Sequence, residues 1–448
     1  MCGVIGIFSK EDVSRKLFYG LNSLQHRGQE SAGIVTSNGE ELIRHRSMGL
    51  VMDVFKEEDL DQVKGNLGIG HVRYSTADGT HDFNTQPLMG FAKGEMISIS
   101  HNGNLINYQI LRTRLEEEGM MFQTTNDSEV ILYLISRYYN GDIVEAIKKT
   151  MELIEGAYSV TLLLKDKIVA FRDPYGIRPL VLGREGENFV VASENAPIEI
   201  MGGEMIRDVE AGEIIIIDET GVRSDQYKKE ETTKNCVFEY VYFARNDATL
   251  DGINSYTFRR RCGEILWEES PCDVDLVIPV PDSGIPSAIG YAQASNIPYG
   301  EGLVKNRYMG RTFIKPSQKE REMAVKLKLN PLVDVVKGKS IVLLDDSIVR
   351  GTTSRNLIDR LREAGAKEVH MRITSPPVCY SCYYGIDTPS RKNLIAANQT
   401  IEEMKTNIGA DSLAFISLQG LGKAGKKEVE QFCTACFDGD YPVDPIVL

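Results

Sequence analysis

The fold of this 448-residue chain is decided by the stretch IVLLDDSIVRGTTS at residues 341–354. Its first four residues are apolar and predict a buried strand, which ends on two adjacent acids, Asp345 and Asp346. The apolar spacing of residues 355–366 then predicts a helix, and residues 369–373 predict a second strand. Strand, helix and strand in this order predict a βαβ unit.

The loop between the first strand and the helix has the composition of an anion site. Gly351 allows a ligand to approach the backbone, and the hydroxyl groups of Thr352, Thr353 and Ser354 join the free N–H groups of the helix start in holding a phosphate. Two carboxylates beside a phosphate would repel it unless they face sugar hydroxyls or a magnesium ion. For the acid pair alone, an interpretation as helix caps stays open.

The complete string resembles the signature of the type I phosphoribosyltransferases, which bind 5-phosphoribosyl-1-pyrophosphate. A second stretch, DLVIPVPDSGIPSAIG at residues 275–290, is similar to the pyrophosphate loop of that family. The resemblance implies that Ser283, Asp345 and Asp346 lie at a magnesium site. It also implies that the 5-phosphate is held by Arg350, Gly351, Thr352, Thr353 and Ser354.

Charge and hydropathy exclude several classes of function. The net charge of −13 argues against nucleic acid or an anionic membrane as a general partner, while 42% hydrophobic residues are ample for buried cores. No apolar run approaches the roughly 18 residues of a membrane span, and the first residues lack the basic region of a secretory signal. We therefore expect a cytoplasmic protein, whose eight cysteines are metal ligands, catalytic or buried thiols rather than disulfides.

The chain starts with Met1-Cys2-Gly3. A small second residue permits removal of Met1, which would leave Cys2 with a free α-amine. Such an amine has a pKa of about 8 in model peptides, so it can take the thiol proton near neutral pH. Cys2 is therefore a candidate nucleophile with its own base, although Cys2 alone is better explained as a chance cysteine after the start.

Four polar motifs follow Cys2 in order, and they are HRGQES at 26–31, HVRYST at 71–76, HNGNL at 101–105 and TTNDSE at 124–129. Each has an ordinary structural interpretation. Asn102-Gly103 is a common hairpin turn, and Arg73 can be a solvated strand residue. Asp127 can cap a helix that begins near Glu129.

Together with MCGVIGIF at residues 1–8, these motifs resemble the class II glutamine amidotransferases, whose domain is an N-terminal nucleophile hydrolase. The resemblance implies that Cys2 attacks the glutamine amide, and that the Asn102 side chain and the Gly103 N–H form the oxyanion hole. It implies that Arg73 holds the substrate carboxylate and Asp127 holds its amino group. An amino-acid substrate needs such a cation and anion, and an acyl intermediate needs donors where the oxyanion forms.

The same resemblance implies an αββα sandwich, and residues 157–214 read as the short strands of such a fold. The polar stretch KKEETTK at 228–234 predicts a loosely structured connection between two domains. We expect a class II glutamine amidotransferase domain at 1–234 and a type I phosphoribosyltransferase α/β domain at 235–448, with a mainly parallel sheet. Within the latter, residues 305–330 hold eight Lys or Arg against two Glu, which indicates either a solvated loop or a basic lid over a polyphosphate substrate.

A class II glutaminase followed by a type I phosphoribosyltransferase resembles one family over essentially the whole chain, the glutamine phosphoribosylpyrophosphate amidotransferases (amidophosphoribosyltransferases). The resemblance implies hydrolysis of glutamine and internal transfer of ammonia to C1 of phosphoribosylpyrophosphate, giving 5-phosphoribosylamine, glutamate and pyrophosphate. This is the first committed step of purine synthesis. The resemblance also implies Mg²⁺ as a cofactor, inhibition by purine nucleotides, and a homodimer or homotetramer.

One branch of that family carries a [4Fe–4S] cluster, and this chain resembles that branch at CVFEYVYF (236–243), CYYGID (382–387) and CTACFDGDYP (433–442). The implied cluster ligands are Cys236, Cys382, Cys433 and Cys436, of which the last two form a CxxC pair suited to one metal or cluster. A structural zinc or plain buried thiols stay open, and Cys379 competes with Cys382 as the third ligand. Members of the branch often carry a propeptide, whereas only Met1 precedes Cys2, so we expect the cluster to serve folding stability and oxygen sensitivity.

Other functions fit less well. A sugar-amidating enzyme or an ATP-dependent amide synthetase would share the glutaminase half, but the latter needs an SGGxDS-type pyrophosphate loop that the sequence lacks. A nucleotide sensor without catalysis could use the phosphoribosyltransferase fold. It would normally carry a DNA-binding helix pair and basic charge, and it would not need Cys2.

Overall fold

The structure is a computed structural model that describes residues 1–74, 81–306 and 329–445. Two antiparallel sheets occupy the first half. The strands of the first sheet are, in spatial order, Glu204–Asp208, Val181–Glu185, Asn188–Ala192, Gly3–Phe8, Leu67–Arg73, Ser31–Ser37 and Leu42–Met48. Those of the second sheet are Gly221–Gln226, Glu213–Asp218, Ile168–Arg172, Gly156–Leu163, Glu95–Leu105 and Leu88–Ala92.

The two sheets pack face to face because their strands alternate apolar side chains between two buried surfaces. Val4 packs between the sheets with Ile168 and Ile215, whereas Ile5 and Ile7 face a helical layer on the outside. Helices Ser14–Ser23, Val51–Val54, Glu57–Gln62 and Ala196–Ile200 cover the first sheet, and helices Tyr108–Glu117, Asp127–Tyr138 and Ile143–Met151 cover the second. The predicted αββα sandwich is confirmed.

A parallel sheet organises the second half, with strands Leu276–Pro279, Ser340–Asp345, Glu368–Ile373 and Ser412–Phe415 in spatial order. Its helices include Ile285–Ser295, Thr352–Glu363 and Ile401–Ile408. The predicted βαβ unit is present, but its helix starts at Thr352, three residues before the apolar spacing begins. The carboxyl ends of the strands gather at one edge, which is where open α/β sheets bind ligands.

Shorter elements complete the described chain. Two-stranded pairs join Thr249–Leu250 to Ile253–Asn254 and Leu303–Lys305 to Leu329–Pro331. The remaining helices are Ser255–Glu269, Val333–Val336, Ile395–Asn398, Leu418–Gly425 and Ala435–Asp438, with a π-helical turn at Glu239–Phe243 and 3₁₀ turns at Asp82–Asn84, Arg391–Asn393 and Val429–Gln431. Most of the predicted basic lid, residues 307–328, lies outside the described residues.

One further pair joins distant parts of the sequence. Asn235–Cys236 runs parallel to Phe432–Cys433, with Cys236 opposite Cys433. Apolar side chains of residues 237–266 also extend the hydrophobic core that begins under the first sheet. Among the described helices, none has the length and apolarity needed to cross a membrane.

Candidate functional site

Cys2 stands at the start of strand Gly3–Phe8, and three neighbours fix its position. Its backbone N–H donates to Asn102 Oδ1 at 3.1 Å, and its carbonyl accepts from Arg27 Nε at 3.0 Å. The thiol is a weak donor to the Tyr74 carbonyl, with Sγ and O 3.8 Å apart. Burial and the charges of Arg178 and Arg27 lower the pKa of the Met1 terminal amine to about 6. The nearby Cys2 side chain acts to raise this pKa.

The Asn102 side chain has a hydrogen-bond donor with no acceptor among the described residues. Asn102 is fully buried within strand Glu95–Leu105, and its Oδ1 accepts from Cys2. Its Nδ2 has no partner among the described residues, so it can donate to an oxygen that arrives beside Cys2. The interpretation of Asn102-Gly103 as a hairpin turn is wrong, because both residues pair with Ser159 and Tyr158 in mid-strand.

The neighbouring backbone leaves no room for a side chain at Gly103. A Cβ atom there would lie 1.9 Å from the Ala157 carbonyl oxygen, at a φ of +156°. Any side chain would therefore displace the strand that carries Asn102. The strand is further held by a second contact, because the Asn104 side chain donates to the Tyr383 carbonyl at 2.9 Å and Gly385 packs on the Gly103 backbone.

Arg73 and Asp127, the two predicted glutamine contacts, are both buried. Arg73 ends strand Leu67–Arg73 and pairs with Glu30 at 2.5 Å, so it is not a solvated strand residue. Asp127 accepts the Leu105 N–H at 2.9 Å. The cap of its helix is Asn126, whose Oδ1 accepts from Ser128, so the interpretation of Asp127 as the cap is wrong. Burial opposes ionisation of Asp127, but His101 and the Leu105 amide lower its pKa.

Sequence reasoning did not find the charged groups behind Cys2. The Arg27 guanidinium is fully buried and contacts Glu194 and Glu239, and His26 also donates to Glu194. Burial alone would raise the pKa of Glu194, yet His26 and Arg27 lower it to about 2. Arg27 lies inside the HRGQES motif, and this was the only available signal, because its partners are far away in sequence.

A second site lies at the carboxyl edge of the parallel sheet. Asp345 and Asp346 follow the central strand, and both are buried. Ser283 Oγ and Ser347 Oγ each donate to Asp346 at 2.5 Å, so the structure brings all three predicted magnesium-site residues together. Burial and the adjacent carboxylate raise the pKa of Asp345 well above its usual value, and burial raises that of Asp346.

The predicted phosphate loop closes the same edge. Gly351 has a φ of +77° and caps helix Thr352–Glu363, so the acids do not cap it and that interpretation is wrong. Ser354 is buried in the first helical turn, whereas Arg350, Thr352 and Thr353 are exposed. The free N–H groups and positive end of this helix suit a phosphate.

Four cysteines surround a small, largely enclosed cavity. They are Cys236, Cys382, Cys433 and Cys436, the same four that the sequence predicts as ligands. Cys379 does not line the cavity, and its thiol instead donates to the Ala396 carbonyl. Burial raises the pKa values of Cys236, Cys433 and Cys436, so each is a neutral thiol when it has no metal.

Arg178 forms part of the wall of this cavity. Its guanidinium is fully buried, and Nε and Nη2 have no partner among the described residues. Two orphaned cationic donors are placed to receive negative charge. In the described part of the chain, no three His, Cys, Asp or Glu side chains are arranged to hold a single metal ion. A cubane differs from a single ion because it spreads four thiolates over four irons.

Comparison with known proteins gives matches over nearly the whole chain. A family model described as a glutamine amidotransferase domain matches residues 71–199. The amidophosphoribosyltransferase of Methanothermobacter thermautotrophicus is 50% identical over 98% of this chain and 94% of its own length. That of Bacillus subtilis is 45% identical, covering 99% of this chain and 94% of its own length.

Two solved structures also match over nearly the whole chain. One is described as the allosteric regulatory enzyme of purine biosynthesis, with a TM-score of 0.94 and 44% identity, covering 99% of this chain and 97% of its own. The other is the B. subtilis glutamine phosphoribosylpyrophosphate amidotransferase complexed with ADP and GMP, with a TM-score of 0.93 and 44% identity, covering 99% and 98%.

Proposed function

This chain belongs to the amidophosphoribosyltransferase family, and we propose that Cys2 is its glutaminase nucleophile while the edge at Asp345 and Asp346 binds the phosphoribosylpyrophosphate that receives the ammonia. The protein is a pentosyltransferase with glutamine amidotransferase activity, as expected of the first step of purine synthesis. The observation that carries the residue assignment is the unpartnered Nδ2 of Asn102 beside the Cys2 backbone.

The glutaminase steps follow from the contacts around Cys2. After removal of Met1, the Cys2 nitrogen becomes an α-amine that takes the thiol proton. The thiolate attacks the amide carbon of glutamine, and Asn102 Nδ2 with the Gly103 N–H stabilises the resulting oxyanion. The C–N bond breaks, the amine returns its proton to the leaving ammonia, and water then hydrolyses the thioester to glutamate. Arg73 and Asp127 hold the two charged ends of glutamine.

The transfer step uses the edge of the parallel sheet. Arg350, Thr352, Thr353, Ser354 and the helix N-terminus hold the 5-phosphate, and the buried carboxylates face the ribose. Carboxylate and hydroxyl oxygens at Ser283, Asp345 and Asp346 fit Mg²⁺, which when bound would neutralise charge on pyrophosphate. Ammonia attacks C1 of the ribose, the C1–O bond breaks, pyrophosphate leaves, and the new ammonium group loses one proton to give the amine.

We also propose the boundary of the two domains at residues 234 and 235. Strand Gly221–Gln226 is the last strand of the αββα sandwich, and residues 227–234 form neither helix nor strand. The transferase half then begins with the strand at Asn235.

Purine nucleotides are proposed as inhibitors, since a close relative was solved with ADP and GMP, and a homodimer or homotetramer is proposed from the family.

The four-cysteine cavity supports a proposal of a [4Fe–4S] cluster. Four thiols line one space, and the two orphaned donors of Arg178 suit the negative charge of a thiolate-ligated cluster. Bound there, the cluster would crosslink three segments of the chain. Protein purified without oxygen should contain about four irons and four sulfides per chain with a broad brown absorbance. Stoichiometric zinc without iron would overturn the proposal.

The function is tested by replacing the nucleophile. Cys2→Ala should abolish glutamine-dependent synthesis and keep synthesis from an ammonium salt, because the transfer site has separate residues. Cys272→Ala is the matched control, since this half-buried cysteine lies outside both sites. Glutamine-dependent synthesis that survives in Cys2→Ala would contradict the assignment. Nucleotide binding without pyrophosphate release by the parent protein would favour the sensor instead.

A further inference from the structure

The nucleophile of the glutaminase half is supported by a carboxylate from the other half of the chain. Arg27 Nε donates to the Cys2 carbonyl at 3.0 Å, so this guanidinium fixes the backbone that carries the thiol and amine. The other two nitrogens of Arg27 donate to carboxylates. Nη1 contacts Glu194 at 2.5 Å and Glu239 at 3.1 Å, and Nη2 contacts Glu239 at 2.8 Å.

Glu239 is held in place independently of Arg27. It opens the π-helical turn Glu239–Phe243 and is almost fully buried. The carbonyls of Tyr240, Val241 and Ala244 accept hydrogen bonds from the buried Arg259 guanidinium at 2.7–3.2 Å. Arg259 belongs to helix Ser255–Glu269 of the second half, so the turn is anchored there. A carboxylate on so fixed a support can orient its partner.

We propose that Glu239 is a positioning residue for the glutaminase reaction, acting on Cys2 through Arg27. The inference rests on the function proposed above, because it concerns the same nucleophile. The Glu239 carboxylate makes its hydrogen bonds to Arg27 and Arg178, and none to Cys2. It holds the Arg27 guanidinium in the one orientation that places Nε on the Cys2 carbonyl. The glutaminase site is therefore completed by the transferase half.

The charges behind Cys2 give this role an electrostatic consequence. The cations Arg27 and Arg178 are opposed by the carboxylates Glu194 and Glu239, and Arg178 lies 3.5 Å from Glu239. His26 donates to Glu194 on the far side. Replacement of Glu239 by a neutral residue leaves Glu194 as the one carboxylate opposing the two guanidinium groups, so one positive charge near Cys2 is uncompensated. That excess disfavours the protonated amine and favours the thiolate.

The main alternative is that Glu239 only stabilises the contact between the two halves. A structural role would lower the free energy of unfolding but would leave the pH dependence of the remaining activity unchanged. A positioning role lowers kcat of the glutaminase, leaves the KM for glutamine unchanged, and shifts the acidic limb of the pH profile. The two roles are therefore separable by kinetics.

The test uses Glu239→Gln in the whole 448-residue chain. Glutaminase kcat should fall about tenfold, as expected for loss of a charge-assisted hydrogen bond, while ammonia-dependent synthesis stays near the parent value. The acidic limb of kcat/KM for glutamine should move to lower pH. Glu239→Asp keeps the charge, so its acidic limb should return to the parent position even where its shorter side chain lowers kcat.

Asp251→Asn is the matched control. Asp251 also comes from the second half and makes a bidentate pair with buried Arg172 at 2.8 and 2.9 Å, but it has no contact with Cys2 or Arg27. It should lose stability without a shift in the pH profile. Parent-like glutaminase kcat in Glu239→Gln would overturn the inference, as would equal losses in both activities. A parent protein without glutaminase activity would instead refute the proposed function.

Discussion

Asn102→Asp removes one hydrogen-bond donor from the glutaminase site and leaves the shape of the side chain intact. The Asp carboxylate still accepts the Cys2 N–H, as Oδ1 does now at 3.1 Å. What disappears is Nδ2, which is buried and has no other partner among the described residues. The variant therefore loses the interaction of Nδ2 with the oxyanion and gains a negative charge at the same position.

The magnitude follows from the burial of this donor. Asn102 is 0% exposed, so water does not replace the lost donor and the full value of an oxyanion-hole contact applies. Such a contact is worth about 2.7–4 kcal/mol, or a factor of roughly 10²–10³ in kcat. The negative charge of Asp next to the developing oxyanion adds to the loss, so this range is a lower bound. The KM for glutamine should change little, because the contact forms in the transition state.

The assay is steady-state release of glutamate, with ammonia-dependent synthesis measured in parallel to show that the transferase half is intact. Ser100→Ala is the control, because Ser100 lies two residues earlier on the same strand and also has a buried side-chain oxygen with no partner in residues 1–74, 81–306 and 329–445. It should keep parent activity. A glutaminase kcat of Asn102→Asp within about threefold of the parent would refute the assignment of the oxyanion hole.

Two further predictions concern the transfer site and the charges behind Cys2. The double variant Asp345→Asn with Asp346→Asn should lose both glutamine-dependent and ammonia-dependent synthesis but keep a folded chain by circular dichroism; normal ammonia-dependent turnover would show that these acids do not serve the substrate. His26 and Arg27 hold the pKa of Glu194 at about 2, below its ordinary 4.5, so its stabilisation is complete above pH 4.5 and is lost as the pH falls toward 2. Glu194→Gln should therefore lower the free energy of unfolding at pH 7 by on the order of 3 kcal/mol, as measured by urea unfolding at several pH values. The free energy of unfolding should also fall less steeply between pH 4.5 and pH 2 in the variant than in the parent. An equally steep loss of unfolding free energy at acid pH in the variant would contradict this prediction.

Local sequence patterns predicted the βαβ unit because its signals lie within a few residues of one another. Four apolar residues marked the strand, and Gly351 marked the start of the phosphate loop. The helix boundary was missed because Thr352 and Thr353 have no apolar spacing. The same limitation explains Asn102-Gly103, which suggests a turn in isolation but lies in mid-strand because strand Gly156–Leu163 pairs along its whole length.

The support of Cys2 was not predictable from local pattern. Arg27 and Glu239 are separated by 212 residues, and neither position carries a spacing signal that points to the other. A charged residue in a helix or turn is usually solvated, and only the tertiary fold shows that both side chains are buried. The four predicted cysteines, by contrast, were identified by resemblance, and the structure places them around one cavity.

The pairing of Asn235–Cys236 with Phe432–Cys433 also sets an order in synthesis, because this contact cannot form until both segments have been made. At about 5–20 residues per second, the partner strand is made on the order of ten seconds or more after Cys236 leaves the peptidyl transferase centre. During that interval the residues of the αββα sandwich have all been synthesised, but Cys236 lacks the strand that lies opposite it in the folded protein. Conditions that slow elongation therefore lengthen the time for which Cys236 lacks its partner strand.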